Sequence, residues 1–142
     1  MILVDTNVLI DVAVDDPFWG EWSATQLALA RDTDRLALNA IVYAELSVHF
    51  DTVETLESVL APLRFERLHL PWEAAFLAAK AFKRYRQSGG AKSAPLPDFF
   101  IGAHAAVAGY PLLTRDPRRY RRYFPKVRLI CPAISQDSRK PS

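Results

Sequence analysis

Four acidic residues in this chain stand where acids are not expected. Asp5 ends the apolar run Ile2-Leu3-Val4, and Glu45 lies inside the apolar stretch from Ala40 to Phe50. Asp98 follows Pro97 at the start of the most apolar segment, and Asp116 comes shortly after the pair Leu112-Leu113. Buried Asp or Glu is rare unless it is paired or binds a cation. Singly, three of them have ordinary readings: Asp98 as a first-turn charge favouring a helix dipole, Asp116 as the initiator of an Asp-Pro turn, Glu45 as a solvent-facing side chain. Asp5 is the hardest to excuse, since nothing beside it in sequence pairs with it. Converging, the four would repel one another and carry raised pKa values. A hard divalent cation relieves that repulsion, and oxygen-only ligation favours Mg²⁺ or Mn²⁺ over zinc. The chemistry implied is hydrolysis of a phosphodiester, in which the metal orients water, lowers its pKa and stabilises transition-state charge. The histidines add little to this. His49 sits four residues after Glu45 with no third nitrogen or sulfur ligand nearby, His104 reads as a core histidine, and His69 has no constellation.

The elements that must position these acids follow from the apolar patterning. Residues 2–4 read as a strand buried on both faces, with Asp5 just past its carboxyl end, where ligands of open α/β sheets bind. Thr6 or Asn7 is expected to cap a helix over 7–13. After the Asp15-Asp16-Pro17 turn, a helix is expected over 19–31, with Trp22, Leu27, Leu29 and Ala30 on its apolar side. Residues 36–38 make a short strand, 40–50 a helix, 52–60 another capped by Asp51 or Thr52, and 65–70 a strand. Pro71 to Gln87 is the clearest helix, with Trp72, Ala75, Phe76, Ala79 and Phe82 at helical spacing and Gly89-Gly90 as its stop. A loop of small residues and proline over 88–97 is expected to be mobile. Residues 99–108 read as a central buried helix stopped by Gly109. Strands at 112–113 and 127–130 flank one or two helical turns at 118–123. Strands alternating with helices imply a mostly parallel sheet covered on both faces.

The chain has 142 residues, half of them hydrophobic and about a quarter charged, which suits one globular domain. No apolar run approaches the ~18 residues of a membrane span, and the start lacks the basic region of a signal peptide. A single cysteine, Cys131, fits a reducing cytosol. The net charge of +2 hides an asymmetry: residues 1–79 carry 4 basic and 13 acidic side chains, residues 80–142 carry 14 and 3. The basic half is either a solvated face or a surface for a polyanion such as nucleic acid.

The order and spacing of these motifs resemble the PIN-domain ribonucleases, most closely the VapC-type toxins of prokaryotic toxin–antitoxin pairs. The residues that carry the resemblance are Val4-Asp5-Thr6-Asn7-Val8-Leu9-Ile10, Glu45-Leu46, Pro97-Asp98-Phe99-Phe100-Ile101-Gly102-Ala103-His104-Ala105 and Leu113-Thr114-Arg115-Asp116. The resemblance covers residues 1 to about 131. It implies a three-layer α/β/α sandwich with a short, mostly parallel central sheet, followed by a polar tail over 132–142 that is expected to be disordered. It also implies an Mg²⁺- or Mn²⁺-dependent endoribonuclease that inhibits translation by cutting RNA, forms a homodimer, is neutralised by a cognate antitoxin and works in the cytoplasm. By the same resemblance Asp5, Glu45, Asp98 and Asp116 form the acidic site, supported by Thr6, Asn7 and Thr114.

Within that frame Asp5 and Asp98 are expected to ligate metal directly, Glu45 to ligate or orient water, and Asp116 to act through a metal-bound water or a second ion. Arg115, beside the site, reads either as a contact to scissile or adjacent phosphate or as a surface salt bridge, and Arg118, Arg119, Arg121 and Arg122 are candidates for the RNA backbone. Tyr120 and Tyr123 either stack on unpaired bases or anchor their segment to the core. Trp19 or Trp22, expected to be exposed, would offer a contact face for the antitoxin. A phosphatase using Asp5 as nucleophile would want a second aspartate where Asn7 stands. A receiver-like phosphoacceptor would want an acidic pair near the start and a further Asp after a middle strand. The rival from another class is a non-catalytic nucleic-acid or partner-binding module built on the same fold.

Overall fold

The structure, a computed structural model, describes residues 1–93 and 96–133. The expected tail from 134 on lies outside the described residues, as do two residues of the 88–97 loop. Five short strands form one sheet: β1 (Ile2–Val4), β2 (Leu36–Asn39), β3 (Glu66–Leu68), β4 (Leu112–Leu113) and β5 (Leu129–Ile130). Their order is β3-β2-β1-β4-β5 and every neighbouring pair is parallel. Leu3, Val4, Leu36, Leu38, Leu112 and Leu113 are all buried. The three central strands therefore read as unbroken apolar runs, not as an alternation. Seven helices flank the sheet: α1 (Thr6–Ala13), α2 (Gly20–Thr33), α3 (Ala40–Ser47), α4 (Val53–Leu60), α5 (Trp72–Gln87), α6 (Pro97–Ala108) and α7 (Arg118–Tyr123).

The chain runs outward from β1 to β3, then returns to lay β4 against the other side of β1. Right-handed crossovers put α1–α4 over one face and α5–α7 over the other. The reversal makes β1 and β4 the switch point of the sheet, and a crevice opens outside their carboxyl ends. The hydrogen bond from Asp5 N to the Leu113 carbonyl, 2.9 Å, ties those two strand ends together.

Local chemistry sets the helix starts that face the crevice. Asn39 caps α3, its Oδ1 accepting from Ile41 N and Val42 N at 3.0 and 3.1 Å. Pro97 fills the first position of α6, where its missing N–H costs nothing, and Asp98 lies in the first turn. Gly109, at φ 73°, takes the left-handed conformation that ends α6. The cap of α4 is Thr52, which accepts from Thr55 N.

Several expectations from the sequence are corrected. The first helix begins at Thr6, and its cap is Asp5, not Thr6 or Asn7. The apolar spacing of α5 selected the wrong face. Ala74, Ala78 and Ala81 are buried, while Trp72 is 89% and Phe76 67% exposed. Small alanines allow α5 to lie close on α6, and this packing outranks the size of the tryptophan and phenylalanine. On α2, Leu27 and Ala30 are buried but Leu29 is 55% exposed. Trp19 is buried at 6%, edge-on to Phe18 and Trp22, so it offers no open contact face. The helix expected over 40–50 ends at Ser47.

Candidate active site

Asp5 is buried at the carboxyl end of β1, where the site is built around it. As the cap of α1 it turns its carboxylate back onto the helix, and Oδ1 accepts from Thr6 N at 2.7 Å. Oδ2 accepts from the Thr114 hydroxyl at 2.9 Å, the Tyr120 hydroxyl at 2.9 Å and the Asn7 amide at 3.3 Å. Four donors around one carboxylate would ordinarily hold its pKa low. Burial wins instead, and with the nearby Asp98 charge it pushes Asp5 up to about 7.

The other three acids reach the same crevice from different elements. Glu45, in the second turn of α3, accepts from the Thr6 hydroxyl at 2.7 Å. Burial raises its pKa, and Asp98 adds to the rise. Asp98, at the start of α6, is raised mainly by burial; Arg119 opposes the shift and Asp116 reinforces it. Asp116 lies just beyond β4, with its backbone N–H donating to the Thr114 hydroxyl at 3.1 Å. Asp98 is therefore the electrostatic neighbour of each of the other three acids. Thr6, Asn7 and Thr114 stand between them as hydrogen-bond supports, and Thr114 is wholly buried.

Two of the acids are turned toward arginines of α7. Arg119 Nη1 lies 3.3 Å from Asp98 Oδ2, and Arg118 grips Asp116 with two bonds of 3.0 and 3.1 Å. In this arrangement no three His, Cys, Asp or Glu side chains among the described residues form a group able to hold a metal ion. The donor chemistry nevertheless fits a hard divalent cation. Every candidate ligand is a carboxylate, and among the described residues Asp5 and Glu45 accept hydrogen bonds from neutral groups, with no cation paired to them.

A groove of about 550 Å³ opens beside the acids, lined by Asp98, Asp116, Arg118, Arg119, Arg122, Tyr85 and Tyr123 together with Ser88, Gly89 and Gly90. Of the five arginines expected on nucleic acid, three line it. Arg115 faces away, and its Nε donates to buried Asp11 at 2.7 Å with the guanidinium over the Trp19 ring. Asp11 also accepts from Ser23 at 2.8 Å, so Arg115 bolts the loop after β4 to the α1–α2 pair. Arg121 reaches Cys131 on the outside. Tyr120 is the participant that the sequence left undecided. It does anchor its segment, but its hydroxyl ends on Asp5, a partner 115 positions away that no local pattern reveals. His104 is a core residue: Asn39, whose oxygen is committed to capping α3, donates its amide to Nδ1 at 3.0 Å. Burial lowers its pKa and keeps the ring neutral.

Comparison with known proteins places this geometry. A family model described as "PIN domain" matches residues 2–125. No curated protein sequence matches the chain. Among solved structures, VapBC2 from Rickettsia felis bound to a DNA fragment from its promoter is similar with a TM-score of 0.71 at 22% identity, over 94% of this chain and 100% of that one. VapBC-1 from nontypeable Haemophilus influenzae is similar with a TM-score of 0.69 at 20% identity, over 92% and 98%. FitAcB from Neisseria gonorrhoeae is similar with a TM-score of 0.64 at 26% identity, over 92% and 96%.

Proposed function

This chain belongs to the PIN-domain family, and from that premise we propose that it is a metal-dependent endoribonuclease, the toxin of a toxin–antitoxin pair. The observation that carries the reading is Asp5, a buried carboxylate at the sheet's switch point, pushed up to about 7 by burial and by Asp98. Keeping such a group there costs stability unless something binds it. A non-catalytic module that used only the basic half would leave that cost unexplained.

Asp5, Asp98 and Glu45 would hold a Mg²⁺ or Mn²⁺ ion, with Asp116 at its outer edge. The ion, when bound, would lower the pKa of water and stabilise charge on the phosphorus in the transition state. The protein's own groups do the rest. Thr6, Thr114, Asn7 and Tyr120 fix the orientation of the carboxylates, which is what keeps a ligand set ready for its ion. Glu45, held by Thr6, takes the proton of the attacking water. A P–O bond would form to that water's oxygen as the P–O bond to the leaving nucleotide breaks, the departing oxygen taking its proton from solvent water. Arg118, Arg119 and Arg122 place adjacent phosphates in the groove.

The toxin–antitoxin complexes among the similar structures support a cognate antitoxin as partner, and the family resemblance implies a homodimer as the working form. The family resemblance alone implies action in the cytoplasm. No helix among the described residues is long and apolar enough to cross a membrane. The test is a melting curve in EDTA against one in millimolar Mn²⁺. An ion that binds only the folded acids raises the melting temperature by mass action. An unchanged melting temperature would contradict the metal site.

A further inference from the structure

Arg119 stands where two demands meet. Its guanidinium lies over two rings, 5.6 Å from the Tyr85 centroid and 5.7 Å from that of Phe99, while its Nη1 reaches Asp98 Oδ2 at 3.3 Å. Next to it Arg118 holds Asp116 with both arms of its fork. The two arginines best placed for phosphate in the groove are therefore engaged with two of the four acids that would receive a cation. One guanidinium cannot serve both a carboxylate that is ligating an ion and a phosphate beside it with the same donors.

We propose that Arg119, with Arg118 beside it, exchanges partners. It neutralises Asp98 when no ion is present and passes to an RNA phosphate when an ion takes Asp98, so that metal and RNA each promote binding of the other. This inference rests on the functional reading above and adds its regulation. Three observations support the exchange. The Arg119–Asp98 pair is partly exposed, 36% and 38%, and such pairs are weak enough to break readily. The Tyr85 and Phe99 rings give the guanidinium a shelf that does not depend on Asp98, so it stays at the groove while its donors change partner. Asp98, Asp116, Arg118 and Arg119 all line the same groove, so an ion and a phosphate would approach the pair from one side. Coupling of this kind is reciprocal: whatever factor RNA gains from metal, metal gains from RNA.

The experiment measures Mn²⁺ binding by calorimetry with and without a cleavage-resistant single-stranded RNA of mixed sequence, bearing 2′-O-methyl and phosphorothioate groups. It uses the wild type, Arg119→Gln and Arg122→Gln, with circular dichroism as a check that each is folded. RNA is expected to tighten Mn²⁺ binding to the wild type about fivefold or more. Without RNA, Arg119→Gln should bind Mn²⁺ about two- to fivefold tighter than the wild type, the worth of an exposed ion pair removed. In that variant the tightening by RNA should be lost. Arg122, which lies over Tyr123 in the same groove, supplies the contrast: Arg122→Gln weakens RNA binding but keeps the tightening. If metal and RNA both bind the wild type but independently, the exchange is wrong and the nuclease reading stands. If Arg119→Gln keeps the wild-type coupling, the exchange is equally wrong. A wild type that binds no Mn²⁺ would overturn the functional reading and this inference with it.

Discussion

Asp5 shows how one residue can be legible in a sequence while its neighbours are not. An aspartate closing an apolar strand is visible at once, because a buried carboxylate needs a reason. Glu45, Asp98 and Asp116 are visible on the same ground, as polar interruptions of apolar segments. Tyr120 and the Asp11–Arg115 pair are not, because their partners lie 115 and 104 positions away and only the fold brings them together. Arg115 beside Asp116 reads as a phosphate contact or a salt bridge, and the fold decides for the salt bridge, with buried Asp11 as the partner. The Tyr120 hydroxyl predicts a specific result. It donates to Asp5 and so favours the ionised form. Tyr120→Phe should therefore lose about 2 kcal/mol in urea unfolding near about pH 8, where Asp5 is charged, and clearly less at about pH 5, where it is protonated. An equal loss at both would mean that the hydroxyl does not serve the charged carboxylate.

At the scale of elements, the order of strands and helices was readable because apolar runs of different length separate buried strands from helices. Gly109 and Thr52 then marked a helix end and a helix start. The orientation of α5 was not readable. Alanine carries little signal about which face is buried, so Trp72 and Phe76 dominated the pattern, and the close contact with α6 decided otherwise. Another close approach, between α6 and α7, places Tyr120 under Asp5. A Cβ on Gly102 would lie 2.4 Å from Phe124 Cδ2 and 3.0 Å from Tyr120 Cδ1. Both neighbours are buried ring carbons with little room to retreat. Gly102→Ala is thus expected to lower stability by about 1–3 kcal/mol, outweighing a helix-propensity gain of about 1 kcal/mol. The shifted Tyr120 should also blunt the Mn²⁺-induced rise in melting temperature. A variant as stable as the wild type would show that α7 is not seated as described.

For the whole molecule, the charge asymmetry does not divide the site: Asp5 and Glu45 come from the acidic first half and Asp98 and Asp116 from the basic second half, while the groove arginines all come from α7. The site acids also make stability depend on pH with a definite sign. Asp5 titrates near 3.8 when unfolded and at about 7 when folded, and Glu45 and Asp98 are shifted the same way. Between those values the folded protein holds more protons than the unfolded chain. The contribution of these groups is therefore full below about pH 4 and is lost as pH rises toward about 7, by up to about 1.4 kcal/mol per pH unit for one such group. His104, with a lowered pKa, acts in the opposite direction at the acid end. The difference between melting curves in Mn²⁺ and in EDTA isolates the site. It should widen as pH rises from about 5 to about 8, because the ion binds the deprotonated acids. A difference that narrows over that range would contradict the account.

The most direct test of the central claim is cleavage of end-labelled total RNA by the purified protein in Mn²⁺, Mg²⁺ or EDTA, alongside Asp98→Asn. The account predicts discrete cuts in either metal, none in EDTA, and none from Asp98→Asn even though its circular dichroism matches the wild type. Cleavage that persists in EDTA or in that variant would contradict it, as would a wild type that binds the RNA in Mn²⁺ and leaves it whole.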